Sequence, residues 1–311
     1  MTNKEKYQAF LKVEQEIPVF SQSWFLDAVC GEENWDVALV EKGNKVVASM
    51  PYYRKKKLVF NLITMPQHGQ TMGVYIAYPK GQKYETKLSY ERKMMDALIN
   101  QLPKVDYFNQ TMHYSVTNWL PFYWRGYKQT TNYTYVIEDL SDIEQVFKNF
   151  SNGKRKDIQK AETIVEIKRD ISAEDFYANH KMTLEKQGAQ ISYTFEHFKG
   201  IYDGAYQHNS GGTFYAIDTE KNIHAAFLII WDKQSAYNLI TTIDPSFRSS
   251  GAAALLFKEV IRFSSTITNT FDFEGSMIES VEKSYRQFGA KQKAYFDITK
   301  VDSKILKLLL D

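Results

Sequence analysis

Two carboxylates near the C-terminus have a spacing that suits proton transfer. Asp272 and Glu274 flank Phe273 in a segment whose residues favour a β-strand. Because side chains alternate along a strand, the two carboxylates share one face, at the end where open α/β sheets bind ligands. A carboxylate there can accept the proton that an ammonium group loses before its nitrogen attacks a carbonyl carbon. We therefore assign Asp272 and Glu274 as candidate catalytic residues; the structural alternative is that they cap the next helix or pair with Arg286.

A phosphate-binding turn is predicted upstream of these carboxylates. Small residues follow Arg248 at the junction between a strand and a helix. The first backbone N–H groups of a helix attract anions, and glycine lets the backbone approach a phosphate closely. The alternative is that Gly251 only ends a turn and allows the helix to pack closely. The residues of this candidate cofactor-binding loop are Arg248, Ser249, Ser250, Gly251, Ala252 and Ala253.

The elements that hold both sites are indicated by hydrophobic periodicity and turn residues in the second half of the chain. Ser276 and Glu279 have the spacing of a helix capping box, and Gly289 is placed to end that helix. Two helices are followed by three strands and then by alternating helices and strands. We predict helices at residues 173–186, 194–208, 249–265 and 277–288, and strands at 213–218, 223–231, 235–243, 270–273 and 291–299.

The first half of the chain predicts a meander of short strands. Gly43 and Asn44 suit a hairpin turn between two β-rich segments, and the polar segment 138–142 precedes a new helix. A chain of 311 residues is long enough for two domains, so we place a boundary near Leu140 and predict domains at 1–140 and 141–311. Strands that meander and then alternate with helices predict a mixed sheet, in the α/β to α+β class.

The element order and the turn at Arg248 resemble those of the GNAT acyltransferase superfamily. Arg248, Gly251 and Ala253 match its R-x-x-G-x-A pattern, whereas Ser250 stands where a second glycine is common. A longer stretch resembles FemABX-like proteins, which carry two GNAT-like domains in tandem. That resemblance covers most of residues 141–311 and, more weakly, residues 20–140. It is carried by the segments FDFEGSMIE (271–279), YRQFGA (285–290) and YF (295–296), and by the basic helix at 149–161.

The resemblance implies both a fold and a reaction. The fold is a pair of GNAT-like domains in tandem, and the reaction is transfer of an acyl or aminoacyl group to a small-molecule or peptide amine. The turn at Arg248 favours acyl-CoA (acyl-coenzyme A) as the donor. The alternative donor is aminoacyl-tRNA, which FemABX proteins of known activity use to modify peptidoglycan precursors of the cell wall. A further alternative is a GNAT-fold binding protein that has lost its donor site, which Ser250 permits.

Basic residues form two clusters, Arg54–Lys57 and a set in the predicted helix at 149–161. Such clusters can contact phosphate groups, including those of tRNA, or can be solvated faces. The net charge of +2 gives no molecule-wide attraction to nucleic acid, so DNA is not an expected partner. The residues assigned to nucleic-acid or phosphate contact are Lys154, Arg155, Lys156 and Lys160.

Composition excludes several classes of protein. Cys30 is the only cysteine, so an internal disulfide and a thiolate zinc cluster are excluded. No two histidines have the spacing of metal ligands on one helix face, and no metal is expected. The longest apolar run, Ala225–Trp231, is far shorter than the roughly 20 residues of a membrane-spanning helix, and the N-terminus lacks the apolar core of a signal peptide. We therefore expect a cytoplasmic protein without an integral membrane segment.

Overall fold

Two compact units make up the chain in the computed structural model, which describes residues 1–310. Unit 1 contains Met1–Asn132 and the chain from Ala294 onward, and unit 2 contains Tyr133–Lys293. The predicted division into residues 1–140 and 141–311 differs from this one at both ends of unit 2. The last strand pairs with a strand of unit 1, and the local hydrophobic pattern of a strand does not specify its partner.

Helices and strands follow one another irregularly along the chain. The elements up to residue 137 are α1 (Asn3–Leu11), α2 (Ser23–Cys30), β1 (Trp35–Lys42), β2 (Lys45–Lys57), β3 (Phe60–Thr64), β4 (Tyr75–Ile76), α3 (Tyr84–Ile99), β5 (Tyr107–Thr111), α4 (Leu120–Tyr123) and β6 (Lys128–Ile137). The later elements are α5 (Ile143–Lys148), α6 (Asn152–Ala161), β7 (Glu166–Arg169), α7 (Ala173–Glu185), α8 (Phe195–Gln207), β8 (Gly211–Ile217), β9 (Ile223–Trp231), β10 (Ser235–Ile243), α9 (Ala252–Ser264), β11 (Thr270–Asp272), α10 (Glu279–Arg286), β12 (Lys291–Val301) and α11 (Lys304–Leu310).

In unit 1 the strands pair in both directions. Strand β2 is antiparallel to β1, to β3 and, over a short stretch, to β4. Strand β3 runs parallel to β5, which in turn is antiparallel to β12. Helix α3 packs its buried Met94 and Leu98 against these strands. Ile298 of β12 is fully buried in the same core, which is why the end of the chain belongs to unit 1.

In unit 2 the strands also pair in both directions. Strands β7, β8, β9 and β10 are successive antiparallel neighbours. Strand β10 runs parallel to β11, whose other edge is antiparallel to the end of β6. Helix α9 buries Leu256 and Phe257 against Phe227 and Phe271 of the strands. Each unit therefore combines mixed strand pairing with helices, and this confirms the predicted α/β class.

The elements around the candidate site depart from the sequence prediction in two ways. Strand β7 is missing from the prediction because its residues are mostly charged and it lies at the sheet edge. The helix predicted at 249–265 begins only at Ala252, because Pro245–Ser250 form a 3₁₀ helix and Gly251 adopts a left-handed φ of 80°.

The helix predicted at 277–288 spans only Glu279–Arg286 in the structure, and the predicted capping box of Ser276 and Glu279 is wrong. Helix α10 is preceded by Ile278 at the N-cap position, without a side-chain cap. Ser276 lies too far upstream to cap it, and its Oγ accepts a hydrogen bond from the Ile278 N–H at 3.0 Å. Spacing alone therefore identified a helix here but not the residue at which it begins.

Candidate functional site

Two parallel strands part at the candidate site. Strands β10 and β11 are paired as far as Tyr237 and Asp272. Beyond this pair β10 bulges between Asn238 and Ile240 and continues, whereas β11 ends. Strands that separate at their carboxyl ends expose peptide groups and side chains to a ligand, and open α/β sheets bind ligands at such points. The structure therefore places Asp272 at the edge of a candidate substrate site.

Asp272 is buried and anchors the turn that follows β11. Its Oδ1 accepts a hydrogen bond from the Thr134 hydroxyl on β6 and another, at 2.8 Å, from the backbone N–H of Glu274. Burial raises the pKa of Asp272 to about 6, and the two hydrogen bonds oppose that rise. Both hydrogen-bond donors belong to the protein itself. Asp272 therefore has the geometry of a positioning residue, which fixes the backbone of Glu274.

Glu274 occupies a left-handed backbone conformation, with a φ of 62°. Gly275 is also left-handed, and only glycine fits there, because a Cβ would lie 2.4 Å from the carbonyl oxygen of Tyr133. A non-glycine residue with positive φ is uncommon and persists where the surroundings hold it. The hydrogen bond to Asp272 and the close approach of β6 hold this turn. The Glu274 side chain is 9% exposed, and both of its carboxylate oxygens are buried.

Tyr285 and Asn238 belong to the same cluster. The pKa of Tyr285 is raised to about 12, first by burial and then by the charge of Glu274, while a hydrogen bond with the Asn238 side chain opposes the rise. The Asn238 amide also donates to Thr241 Oγ1 at 2.8 Å. The sequence singles out neither residue, because Tyr285 fits the apolar stripe of α10 and Asn238 lies within an apolar strand. The bulge at Asn238 is the feature that a local pattern does not reveal.

The predicted donor loop lies at the start of α9 and packs against α6. Gly251 has a positive φ, and a Cβ on it would lie 2.2 Å from the carbonyl oxygen of Asp157. The Ala252 N–H donates to Ser250 Oγ at 3.2 Å. The glycine is therefore required by the close approach of two helices, which is the structural alternative considered for it from the sequence.

Side chains brace the same loop from two directions. The Arg248 guanidinium donates to Gln187 Oε1 at 2.9 Å, and Lys160 Nζ donates to the carbonyl oxygen of Ser249 at 2.6 Å. Ala253 is partly buried in the first turn of α9. The polar groups named here bind other parts of the protein, so the loop in this conformation does not fit the diphosphate of coenzyme A as an open cradle.

Helix α6 carries the residues assigned to phosphate contact, and several of them bind the protein itself. Lys154 Nζ donates to Ser284 Oγ at 2.9 Å, and burial lowers the pKa of this lysine. Arg155 donates to two backbone carbonyl oxygens around the end of α5. Lys160 braces the donor loop, whereas Lys156 is exposed to solvent. Stabilising contacts thus account for most of this basic set.

Residues 1–310 contain neither a candidate metal site nor a candidate membrane-spanning helix. No group of three or more His, Cys, Asp or Glu side chains in this range is arranged to hold a metal ion. No helix in the same range has both the length and the apolar character needed to cross a bilayer.

The chain is similar to several proteins of known structure. No protein-family model and no curated protein matches the chain. The crystal structure of FemX superposes with a TM-score of 0.67 over 95% of this chain and 96% of that one, at 11% identity. The C-terminal domain of a putative lysylphosphatidylglycerol synthetase from Agrobacterium fabrum gives a TM-score of 0.57 over 99% and 96%, at 10% identity. A tandem GNAT protein from the clavulanic acid biosynthesis pathway gives 0.52 over 96% and 94%, at 6% identity.

These likenesses show the fold of the chain. Each superposition covers nearly the full length of this chain and of the similar structure, although few residues are identical. The chain shares its fold with FemX and with the tandem GNAT protein, and this confirms the predicted fold.

Proposed function

We propose that this protein transfers an acyl or aminoacyl group to the nitrogen of an amine, at the point where β10 and β11 part. The observation that carries the proposal is the buried carboxylate of Glu274, held in a left-handed turn close enough to Tyr285 for its charge to raise the pKa of that phenol. The tandem GNAT fold and the resemblance to FemABX-like aminoacyltransferases support the same chemistry.

In the proposed reaction the amine nitrogen attacks the carbonyl carbon of the acyl donor. A carbon–nitrogen bond forms, the bond from that carbon to the sulfur or oxygen of the donor breaks, and Glu274 accepts the proton that the amine loses. The donor sulfur or oxygen leaves with the electron pair of the broken bond, and the protonated Tyr285 hydroxyl, whose pKa is raised to about 12, donates a hydrogen bond to it. Asp272 acts through Glu274 by holding its backbone N–H. Alignment of the two substrates supplies much of the remaining rate enhancement.

The donor we propose first is acyl-coenzyme A, because the sequence of the Arg248–Ala253 loop matches the pattern that binds it. To open the loop for the diphosphate, Arg248 and Lys160 must release their present contacts with Gln187 and with the Ser249 carbonyl. A specific contact favours a second candidate, aminoacyl-tRNA. Gly251 lies directly against the backbone of Asp157, so this loop is used for helix packing. A donor that does not depend on the loop, such as an aminoacyl ester on tRNA, is compatible with that contact. The acceptor we propose is a small-molecule or peptide amine, which for the tRNA donor includes a peptidoglycan precursor, and we place the reaction in the cytoplasm.

Direct assays of donor binding and amine acylation test the proposal. The purified full chain is incubated with acetyl-coenzyme A or with aminoacyl-tRNA and a panel of amines, and the melting temperature is recorded with each donor. A rise in melting temperature with coenzyme A supports the first donor. Salt-sensitive binding of tRNA without any effect of coenzyme A supports the second. If neither donor acylates any amine and neither binds, the proposal of an enzyme fails in favour of a binding protein.

Two matched variants separate the donors. Arg248 lies in the donor loop, whereas Lys156 is an exposed cation of α6. If acyl-coenzyme A is the donor, Arg248→Ala lowers its effect on the melting temperature and Lys156→Ala does not. If tRNA is the donor, Lys156→Ala weakens tRNA binding and reduces its dependence on salt.

A further inference from the structure

The hairpin between β2 and β3 ends in exposed apolar residues next to a run of cations. Arg54–Lys57 close strand β2 and are exposed to solvent. Leu58 and Val59 form the tip, and they are 84% and 76% exposed. Leu58 has a φ of 55°, in the left-handed region where glycine or asparagine is favoured and a bulky side chain is uncommon. Neither the packing nor the backbone of unit 1 explains a leucine at this position.

A second element of unit 1 has the same character. Helix α11 carries Lys304 and Lys307, both exposed, and between and beyond them Ile305 and Leu308 are 61% and 82% exposed. An amphipathic helix with lysines beside apolar residues is typical of segments that lie on a lipid surface.

Hydrogen bonds through Asp106 place the hairpin and α11 at the same edge of the unit 1 strands. Asp106 exchanges bonds with Asn61 of β3: its N–H donates to the Asn61 carbonyl and its Oδ2 accepts from the Asn61 N–H, both at 2.8 Å. Asn61 is paired with Lys56 of the hairpin. The Asp106 carbonyl accepts a hydrogen bond at 3.0 Å from the N–H of Asp302, which leads into α11. Lys104, also exposed, lies in the loop just before Asp106.

The lysines on these segments outnumber the nearby carboxylates. Six lysines are exposed there, whereas the two nearby carboxylates within residues 1–310 are Asp106, which accepts a hydrogen bond from Asn61, and Asp302, which is paired with Lys300 at 3.4 Å. The hairpin tip and α11 therefore each carry both exposed lysines and exposed apolar side chains, and Lys104 lies in the loop next to Asp106, which links them. We call this surface the basic-apolar edge; it consists of Lys55, Lys56, Lys57, Leu58, Val59, Lys104, Lys304, Ile305, Lys307 and Leu308.

We propose that the basic-apolar edge binds the surface of an anionic phospholipid bilayer. Lysines attract acidic headgroups, and neighbouring apolar side chains enter the boundary between headgroups and acyl chains. A nucleic acid uses the same cations but gains nothing from Leu58 and Val59 projecting into it. The combination of charge with exposed aliphatic residues on two separate elements fits a lipid surface best.

Vesicle flotation tests this proposal with the full chain. Vesicles of phosphatidylglycerol and phosphatidylcholine are compared with vesicles of phosphatidylcholine alone. We expect binding to the anionic vesicles only, and binding that weakens as salt is added. The double variant Leu58→Ser/Val59→Ser is expected to lower the partition constant by about tenfold or more, since it removes two apolar side chains from the contact. Lys56→Glu/Lys57→Glu is expected to lower it at least as much, since it reverses two charges.

Matched control variants lie away from the basic-apolar edge. Lys80 and Lys83 precede α3, whose 16 residues separate them by about 24 Å from the loop that contains Lys104. Val13 is 78% exposed and follows α1, whose Phe10 ring lies 6.0 Å from that of Tyr75, near the opposite end of β2. Lys80→Glu/Lys83→Glu and Val13→Ser should leave vesicle binding within about twofold of the unsubstituted protein.

Three outcomes overturn the proposal. The first is an unsubstituted protein that does not float with anionic vesicles. The second is a loss of binding in the control variants equal to that in the edge variants. The third is vesicle binding that survives the serine substitutions while tRNA competes for the lysines, which assigns the surface to nucleic acid. Circular dichroism of each variant separates loss of binding from loss of folding.

Discussion

Each unit contains a parallel pair of strands, and the two units differ in the residues that follow the last paired position. In unit 1, β3 and β5 are paired as far as Ile63 and Phe108, and in unit 2, β10 and β11 are paired as far as Tyr237 and Asp272. Two residues beyond the last pair, unit 1 has Gln110 where unit 2 has Glu274. The same strand arrangement therefore carries an amide in one unit and a carboxylate in the other.

Unit 1 fills the end of its strand pair with its own chain. Gln110 is fully buried, and its amide donates to the carbonyl oxygen of Pro51 at 2.6 Å. The Thr111 carbonyl accepts a hydrogen bond at 2.7 Å from the N–H of Met72, in the loop after β3. Strand β5 also continues beyond the pair in antiparallel contact with β12. These contacts stabilise unit 1 and leave its strand end with a structural role.

Unit 2 ends its strand early and turns the chain through two left-handed residues, Glu274 and Gly275. A buried carboxylate and a strained turn are unfavourable for folding, so their presence is best explained by function. The fold therefore does not by itself make a site. In the proposed reaction, the chemistry comes from the few residues after the last parallel pair.

The largest expected effect comes from replacing Glu274 of unit 2 with glutamine, the residue at the corresponding position, 110, of unit 1. Glu274→Gln keeps the size of the side chain but cannot accept a proton from the attacking amine. We expect kcat for acyl transfer to fall by roughly 10²- to 10⁴-fold, with the melting temperature unchanged or raised. Steady-state kinetics, with whichever of the two proposed donors proves active in the binding and acylation assays, measure the change. Glu279→Gln, at an exposed glutamate of α10, is the control, and a Glu274→Gln enzyme with near-normal turnover contradicts the role of Glu274 as the proton acceptor.

The reverse substitution tests whether unit 1 tolerates the chemistry of unit 2. Gln110→Glu at neutral pH buries a negative charge and removes the donor to the Pro51 carbonyl. We expect the free energy of unfolding to fall by about 3 kcal/mol at pH 7, and by less at pH 4, where the introduced carboxyl group is protonated and can donate. Urea denaturation at both pH values measures it. Gln159→Glu, on the exposed face of α6, should change stability by less than about 0.5 kcal/mol.

The turn itself is tested by two glycine substitutions. In Gly275→Ala, the new residue must adopt a φ of 68°, and its Cβ lies 2.4 Å from the Tyr133 carbonyl oxygen unless the backbone moves. Gly81→Ala in unit 1 has a similar φ of 71° but nothing within 4 Å of the added Cβ. We expect the free energy of unfolding to fall by about 3 kcal/mol in Gly275→Ala and by about 1 kcal/mol in Gly81→Ala. Equal losses would mean that β6 moves away easily and that the close contact does not hold the Glu274 turn.

The pH dependence of stability tests the burial of Asp272. Its pKa is about 6 in the folded protein and 3.8 for the unperturbed group, so the folded state retains a proton that the unfolded state releases between these values. The contribution of Asp272 to the free energy of unfolding should therefore fall as pH rises from about 4 to about 6, and should level off above that range.

Asp272→Asn removes this titration and keeps an Oδ1 that can accept from both Thr134 and Glu274. Relative to the variant, the natural protein should lose on the order of 2 kcal/mol between pH 4 and pH 7. Chemical denaturation across this range measures the difference. A constant difference at every pH would show that Asp272 does not titrate as its burial requires.

The sequence predicts most of the fold because its elements have strong local signals. Apolar runs and turn residues reveal the strands β8, β9 and β10 and the helix α9. The predicted fold is confirmed by the likeness to FemX and to the tandem GNAT protein. Strand β7 is missed because a charged edge strand has little apolar pattern. The pairing of β12 with β5 is missed because partner choice depends on residues far apart in the chain.

The candidate site is less predictable than the fold. Strand alternation predicts that Asp272 and Glu274 share one face, but β11 ends at Asp272 and Glu274 lies in a turn. That turn depends on the backbone of Tyr133, which no local pattern near Glu274 reveals. The same reason applies to Gly251, whose neighbour Asp157 lies on another helix. Close approaches between distant segments decide the geometry of both places.

The return of β12 to unit 1 also has a consequence for synthesis on the ribosome. Unit 2 is one continuous segment, Tyr133–Lys293, and all of it has been made before Ile298 of the last strand is added. Unit 1 needs Ile298 to close its core, although most of its residues are translated first. Because a chain is made from the N-terminus, the first unit to be synthesised is the last that can be completed. A nascent chain that stalls before Ala294 carries all of unit 2 but leaves unit 1 with an open strand edge, a state prone to aggregation.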